Sequence, residues 1–228
     1  MDFKVKFLNN AEKEMKIDVE KVLVVGYSGS NIKKIEEHIL ELKEQLGVPA
    51  PKRIPTIFEC SLENLTFNKK IKFVGDMTSG EVEFLIVKYN DKIYIGIGSD
   101  HTDRKLESVS VLKSKQVCPK PASNILWDYE EIKDIWTQLQ VVSYQKVDGK
   151  EMMYQSGNLS QILPVEKIIA ELEERVGDIN NSVIFSGTVP LVGKFEYGDK
   201  FIGKIVDNIN NRELVLEYEI EKISEEER

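Results

Sequence analysis

Three carboxylates near the middle of the chain have a spacing that would bring them together. Glu81 and Glu83 lie two residues apart, and Asp100 follows after an apolar stretch interrupted at Asn-Asp, residues 90–91. This dipeptide predicts a two-residue hairpin turn, which would place Glu81 opposite Asp100 and Glu83 opposite Gly98. Because side chains alternate along a strand and directly opposed residues share a face, all three carboxylates would project to one side of the sheet.

Carboxylates in this arrangement are typical ligands of a hard divalent cation. Cross-strand neighbours have Cβ atoms roughly 5 Å apart, and diagonal neighbours about 7–8 Å apart. Oxygen ligands without histidine or thiolate favour Mg²⁺, Mn²⁺ or Ca²⁺ over Zn²⁺. Without a cation, the like charges would raise each other's pKa. We expect Gly98 to leave room for the ion, with the open positions taken by water and substrate. The alternative is an exposed acidic strand edge.

The elements that position these residues are mostly strands. Apolar periodicity and turn residues predict two helices, over residues 32–46 and 165–175, and a helical or loop-rich segment around residues 119–139. A polar stretch follows the first strand, and the charged segment 222–228 is expected to fray. Since strands outnumber helices and do not alternate with them regularly, we predict one β-rich α+β domain over residues 1–228. Its strands are predicted at residues 2–7, 22–26, 56–60, 71–74, 82–87, 92–97, 141–146, 151–155, 182–186, 200–206 and 213–220.

Composition restricts the classes of function. The 228 residues carry a net charge of −8, from 39 acidic and 31 basic side chains, which argues against a nucleic-acid partner. An anionic substrate remains compatible, because a metal ion or a few lysines can reverse the local sign. There is no apolar run of about 20 residues and no secretory signal pattern, so we expect a cytoplasmic protein without a membrane partner. Cys60 and Cys118 are too few for a disulfide framework.

Several motifs, in order, resemble those of the fumarylacetoacetate hydrolase superfamily. Gly80–Val87 is similar to the family's metal-binding strand, in which Glu-x-Glu precedes apolar residues. Ser99–Glu107 resembles the block Asn-Asp-Val-Thr-Ala-Arg-Asp-Leu-Gln and places the third metal ligand at Asp100. Lys113–Pro119 is similar to the segment that carries the active-site lysine. Further similar blocks are Tyr27 with His38-Ile-Leu-Glu41, Pro51–Phe58, Gln155–Ser160, Phe185–Pro190, Val192-Gly193 and Tyr197–Asp199.

The resemblance implies a fold and a set of site residues. The implied fold is a mixed β-sandwich rolled into a barrel-like form with peripheral helices, assembled as a homodimer, with a lid helix over residues 30–47. The metal, Mg²⁺ or Mn²⁺, would be held by Glu81, Glu83 and Asp100. His-x-x-Glu also occurs on ordinary solvated helix faces, but the resemblance implies that His38, oriented by Glu41, activates a water. The implied substrate-binding residues are Tyr27, Gln155, Gly187 and Thr188.

Two lysines compete for the catalytic position, because the lysine block is shorter than in the family. Lys115, or alternatively Lys113, would stabilise a substrate carboxylate or a developing enolate. The alternative for both is a solvated basic loop that also contains Lys120. His101, on the opposite face of the strand from Asp100, is expected to be structural.

The lead hypothesis is hydrolytic cleavage of a C–C bond in an acylpyruvate-like acid, through an enolate stabilised by the metal. Decarboxylation, isomerisation and sugar-acid dehydration are alternatives on the same scaffold. A domain that only binds a small keto acid is the non-enzymatic alternative.

Overall fold

The computed structural model describes residues 1–33, 35–37, 39–40 and 50–227, and most strands in these residues belong to two sheets. The larger sheet has the strand order β2-β1-β12-β9-β8-β15-β3-β4. Its strands are β1 (Asp2–Lys6), β2 (Glu12–Lys16), β3 (Lys21–Gly26), β4 (Thr56–Cys60), β8 (Val82–Tyr89), β9 (Lys92–Ser99), β12 (Ile125–Asp128) and β15 (Ser182–Thr188).

The smaller sheet has the order β14-β13-β16-β17-β6. It consists of β6 (Lys70–Val74), β13 (Gln140–Val147), β14 (Lys150–Asn158), β16 (Lys200–Asp207) and β17 (Arg212–Ile223). Two short ladders join β5 (Leu65–Thr66) to β11 (Lys120–Pro121) and β7 (Thr78–Ser79) to β10 (Thr102–Asp103). Besides helical residues between 32 and 40, the described α-helices are α1 (Arg104–Glu107), α2 (Val111–Gln116) and α3 (Val165–Val176), and 3-10 turns cover Leu62–Asn64, Tyr129–Glu131, Lys133–Gln138 and Leu159–Gln161.

The prediction of a mixed, mostly β architecture is confirmed. Strand β1 runs parallel to β12, β3 to β15 and β6 to β17, while the hairpin pairs are antiparallel. Among the described residues the larger sheet does not close into a barrel, because its edge strands β2 and β4 pair with one neighbour each. The smaller sheet packs on one face of this open sheet.

Each face of the larger sheet covers a separate apolar core, which explains the uninterrupted apolar run Phe84–Val87 in β8. Val82, Phe84 and Ile86 face the smaller sheet and helix α3. Leu85 and Val87 face the other way, into a core formed by the larger sheet itself together with residues of β5 and the β11–β12 segment. Strands that are buried on both faces have continuously apolar sequences, whereas strands with one exposed face alternate apolar and polar residues. Glu83 shares the face of Leu85, so its carboxylate lies at the end of this second core.

Several predicted elements need correction. The polar stretch after the first strand contains β2, an exposed edge strand of charged residues in which only Met15 is buried. The segment 119–139 contributes β12 to the larger sheet. Strand β17 continues to Ile223, two residues into the segment expected to fray, because Lys222 and Ile223 pair with β6.

The other expectations have mixed outcomes. The described residues of the predicted 32–46 helix, at 32–33, 35–37 and 39–40, are helical, and the remainder lies outside the described residues. Cys60 and Cys118 are free, buried thiols. Within the described part of the chain, no helix has the length and apolar character needed to cross a bilayer.

Candidate metal centre

The β8–β9 hairpin has the predicted register. Glu83 pairs with Gly98, and the backbone N–H of Asp100 donates to the carbonyl of Glu81 at 3.0 Å. The turn residues Asn90 and Asp91 have φ values of 51° and 56°. Positive φ at both central residues is the two-residue turn that matches the twist of a hairpin. The Asn-Asp turn therefore fixes which side chains share a face.

The three carboxylates meet at the open end of this hairpin. Glu81, Glu83 and Asp100 each offer an oxygen atom, and these atoms lie within 4.8 Å of one another. Glu83 and Asp100 are 1% exposed, whereas the side chain of Glu81 is 19% exposed. An exposed acidic edge is therefore excluded for Glu83 and Asp100, and the cluster opens towards solvent on the side of Glu81.

The space beside Gly98 is not left for a cation, contrary to our expectation. A Cβ atom on Gly98 would lie 2.7 Å from side-chain atoms of both Leu85 and Phe185. The second core therefore fills the position opposite Glu83. Glu81 and Asp100, at the end of the paired strands, would hold an ion together with Glu83.

Asp100 is held between two buried lysines. Its Oδ2 atom accepts a hydrogen bond from the Lys115 ammonium, and its Oδ1 atom lies 3.2 Å from the Lys120 nitrogen. Burial alone would raise the pKa of the Asp100 carboxyl, but the charges of Lys115 and then Lys120 outweigh it and lower the pKa. Oδ1 has no hydrogen-bond donor, because the Lys120 contact lacks hydrogen-bond geometry. A buried carboxylate oxygen without a donor suits a metal ligand.

Glu83 has the opposite electrostatic environment. Burial raises the pKa of its carboxyl well above the ordinary value, and the nearby charges of Asp100 and Glu81 raise it further. One hydrogen bond, from the Gly187 N–H at 2.9 Å, partly opposes this shift. A divalent cation between the three carboxylates would remove the repulsion. Together with the unbonded Asp100 oxygen, this shows that the residues present fit a divalent cation.

Arg104 and Lys120 are members of the site that the sequence analysis did not assign. The guanidinium of Arg104 contacts Glu81 at 3.1 Å and Glu107 at 3.0 Å, and its side chain is only 4% exposed. Arg104 falls on the arginine of the family block that Ser99–Glu107 resembles, but this match alone indicated no role. Lys120 was considered only within the alternative of a solvated basic loop, yet it is completely buried. Neither residue has a sequence signal of burial, because α1 and β11 are too short to show an apolar periodicity.

The two lysines that compete for the catalytic position differ in burial. Lys115 lies on the buried face of α2 with its side chain 7% exposed, and it contacts Asp100. Lys113, two residues earlier on the same short helix, is exposed. The helix begins where Ser110 accepts a hydrogen bond from the backbone N–H of Lys113, which fixes the turn that directs Lys115 inward. Lys115 is therefore the lysine at the carboxylate cluster.

The groups expected to bind substrate on Gln155, Gly187 and Thr188 have partners within the protein. The Gln155 amide is fully buried and bonds to the Val82 N–H, to the Thr188 hydroxyl and to neighbouring groups. Thr188 in turn donates to the carbonyl of Val82. Gly187 uses its N–H to hold Glu83. These three residues thus fix the strand that carries the glutamates.

Of the other residues singled out in the sequence, the structure describes Tyr27 and His101. Tyr27 is half-buried with φ of 52°, and burial, followed by the Glu107 charge, raises the pKa of its phenol. His38 and Glu41 lie outside the described residues. His101 faces the smaller sheet as expected for a structural residue, stacking on Phe73 with ring centroids 3.8 Å apart and bonding to the Tyr218 hydroxyl.

Replacing Gly187 by alanine should destabilise the protein more than the same replacement at Gly149. Gly187 has φ of 90°, and a Cβ atom there would lie 2.9 Å from the Val25 carbonyl and even closer to the Ser28 hydroxyl. We expect Gly187→Ala to lower the free energy of unfolding by about 3 kcal/mol or more, from left-handed strain plus overpacking. Gly149→Ala is the matched control, since Gly149 has φ of 79° and no neighbour within 4 Å. Equal losses in urea unfolding would contradict this packing.

Comparison with known proteins identifies the family. A family model described as "Protein of unknown function (DUF2848)" matches residues 25–218. The chain belongs to this family. No curated protein gives a significant match to this DUF2848 chain.

Solved structures show the fold of the DUF2848 protein. It is similar to a 2-keto-3-deoxy-D-arabinonate dehydratase complexed with magnesium and 2,5-dioxopentanoate, at 22% identity and a TM-score of 0.66, with 95% of this chain and 78% of that chain covered. A yeast fumarylacetoacetate hydrolase family protein matches at 16% identity and a TM-score of 0.61, covering 90% and 94% of the respective chains. A fumarylacetoacetate hydrolase from Exiguobacterium antarcticum matches at 14% identity and a TM-score of 0.61, with 94% of this chain and 83% of that chain covered. The predicted fold of the fumarylacetoacetate hydrolase superfamily is thus confirmed.

Proposed function

We propose that this chain is a divalent-metal-dependent enzyme that cleaves a C–C bond in an acylpyruvate-like 2-oxo or 1,3-dicarbonyl acid by hydrolysis. The observation that carries the proposal is the cluster of Glu81, Glu83 and Asp100 oxygens within 4.8 Å of one another. Two of these carboxylates are buried, and one buried oxygen has no hydrogen-bond donor. Mg²⁺ or Mn²⁺ is the proposed cation, and Ca²⁺ is the further candidate for an all-oxygen site.

The charges around the cluster favour an anionic substrate. With every group ionised, the four carboxylates and three cations of the site sum to one negative charge. One divalent cation would change that sum to one positive charge, which an organic acid would neutralise. The groups counted are Glu81, Glu83, Asp100, Glu107, Arg104, Lys115 and Lys120.

When bound, the divalent cation would act as a Lewis acid towards oxygen atoms of the substrate. Lys115 is the proposed source of additional positive charge. Among the hydrogen bonds of the described residues, its ammonium donates only to Asp100, so further N–H donors are available to a substrate oxygen. A fixed donor of this kind stabilises negative charge as it develops during bond cleavage.

The proposed base for water attack rests on the resemblance. His38 would take the proton of the attacking water at an imidazole nitrogen, and Glu41 would orient the ring. Tyr27 is a proposed substrate contact, also on the resemblance. Gln155, Gly187 and Thr188 are proposed to act indirectly, because their polar groups hold the Val82–Glu83 strand.

Dehydration of a sugar acid is the second candidate reaction. It is favoured by the structural similarity to a dehydratase that was solved with magnesium and 2,5-dioxopentanoate. Decarboxylation and isomerisation would use the same cluster. A protein that only binds a keto acid would show metal-dependent binding without any product. We also propose a homodimer, on the resemblance alone, which sedimentation velocity would test.

An assay of candidate acids with Mg²⁺ or Mn²⁺ tests the proposal. Acylpyruvates, oxaloacetate and 2-keto-3-deoxy sugar acids should be offered separately, with products followed by mass spectrometry. We expect pyruvate and a carboxylic acid from an acylpyruvate, loss of activity with EDTA, and recovery with added metal. Release of CO₂ or loss of water would indicate the alternative reactions. Binding without turnover in every case would favour the non-enzymatic alternative.

The Lys115→Met variant adds a direct test of the site. We expect kcat/KM to fall about 100-fold or more, because a donor to developing negative charge is lost. Lys113→Met is the matched control, since Lys113 lies exposed on the same helix. Equal activities of the two variants would contradict the assignment of Lys115.

A further inference from the structure

Lys120 is a completely buried cation for which the proposed reaction has no role. It is 0% exposed, and it precedes a proline in the two-residue strand β11. Charged side chains are almost never fully buried unless they are paired and hydrogen-bonded. The partners of Lys120 therefore indicate what this residue does.

The ammonium of Lys120 donates to three backbone carbonyls. It bonds to the carbonyl of His101 at 2.6 Å, to that of Cys118 at 3.3 Å, and to that of Lys115. An ammonium has three N–H donors, so these bonds use all of them. This explains why Asp100 Oδ1, only 3.2 Å away, receives charge from Lys120 but no hydrogen bond.

These carbonyls come from two segments that have to be aligned for the site to form. His101 follows Asp100 directly at the end of β9, whereas Lys115 lies in the last turn of α2. The helix has six residues, and Gln116 at its end bonds to Ser61 and Asn64, which follow β4. A short helix depends on tertiary contacts for its position. Lys120 provides a contact that joins this helix to the strand end carrying Asp100.

We infer that Lys120 is a positioning residue: it fixes the backbone of Lys115 against the end of β9, so that Lys115 contacts Asp100 Oδ2 while Oδ1 stays free for a cation. The catalytic part of this inference depends on the proposed function, but the structural part does not. An ordinary buried lysine that stabilises a loop would affect unfolding alone. A positioning residue also controls the exposure and the function of Lys115.

Amine labelling of the metal-free protein tests the structural part. Lys115 and Lys120 should react slowly with an acylating reagent in the wild type, because both are buried. In Lys120→Met we expect Lys115 to be labelled at least about tenfold faster, because its helix loses the bond to Lys120. Lys88→Met is the control, since Lys88 is a part-buried lysine paired with Glu173, away from the carboxylate cluster. Unchanged labelling of Lys115 in a folded Lys120→Met protein would overturn the inference.

If Lys120→Met does not fold, Lys120→Gln serves as the second variant. The glutamine amide has two N–H donors, which can replace part of the hydrogen bonding of the ammonium. If neither variant folds, Lys120 is required for the fold as a whole, and the positioning role is overturned. Near-UV circular dichroism distinguishes these cases before labelling.

A double-mutant cycle tests the catalytic part. If Lys120 acts through Lys115, Lys120→Met should lower kcat/KM at least about tenfold in the wild type but less than twofold in the Lys115→Met background. Equal factors in both backgrounds would contradict action through Lys115. A wild type without turnover on any keto acid would refute the proposed function, while the labelling result would still decide the structural part.

Discussion

Glu83→Gln is expected to weaken Mn²⁺ binding about 100-fold or more while leaving the metal-free protein at least as stable as the wild type. Removing a direct ligand should cost at least as much affinity as removing a group that supports a ligand, which typically costs 10–100-fold. In the metal-free protein the ionised Glu83 is unfavourable, because burial and then the charges of Asp100 and Glu81 raise its pKa. An amide removes that unfavourable charge and can still accept the hydrogen bond from Gly187.

The pH dependence of this effect has a defined sign. A carboxyl with a raised pKa binds its proton more tightly in the folded state, so its contribution to stability is lost as pH rises through the folded pKa. The metal-free wild type should therefore lose stability relative to Glu83→Gln as pH increases from the ordinary glutamate pKa upward. Urea unfolding in EDTA at several pH values measures the difference. A variant that is less stable than the wild type at neutral pH would contradict this electrostatic account.

Asp100→Asn, in contrast to Glu83→Gln, is expected to destabilise the metal-free protein. Asp100 is the carboxylate that neutralises the buried Lys115 and Lys120. Removing one partner of a buried ion pair leaves an uncompensated charge and typically costs about 3–5 kcal/mol. We therefore expect a loss of this size in the free energy of unfolding at neutral pH, together with loss of Mn²⁺ binding.

Glu81→Gln is the control for this large loss. Glu81 is partly exposed, and its partner Arg104 keeps a second ion pair with Glu107. Its removal should cost about 1 kcal/mol or less in the metal-free protein, as for partly exposed pairs. If Asp100→Asn and Glu81→Gln were equally stable, Asp100 would not be the counter-charge of the two lysines.

Much of the site could be predicted because one short turn determines it. Asn90 and Asp91 fix the hairpin register, and the two-residue period of strands then places Glu81, Glu83 and Asp100 on one face. Strand β8 was likewise recognisable, because its apolar run is long enough for burial on both faces. Local patterns of this kind are sufficient when neighbours in space are also neighbours in the hairpin.

The parts that could not be predicted depend on contacts between distant segments. The side chains of Leu85 and Phe185 fill the space beside Gly98, and Phe185 lies there because β15, which is distant in the sequence, pairs with β8. Strand β2 is charged along its length and has the composition of a loop, so its pairing with β1 decides its structure. Lys120 resembles a solvated lysine in sequence, because the carbonyls that it binds come from two segments, the end of β9 and helix α2.

A metal site formed by Glu81, Glu83 and Asp100 is tested most directly by titrating metal-free protein with Mn²⁺, with binding measured by isothermal calorimetry and by the electron paramagnetic resonance signal of free Mn²⁺. We expect one ion bound per chain, competition by Mg²⁺, and no measurable binding to a protein carrying both Glu83→Gln and Asp100→Asn. Binding of equal strength to the wild type and to that double variant would show that the three carboxylates do not hold the ion.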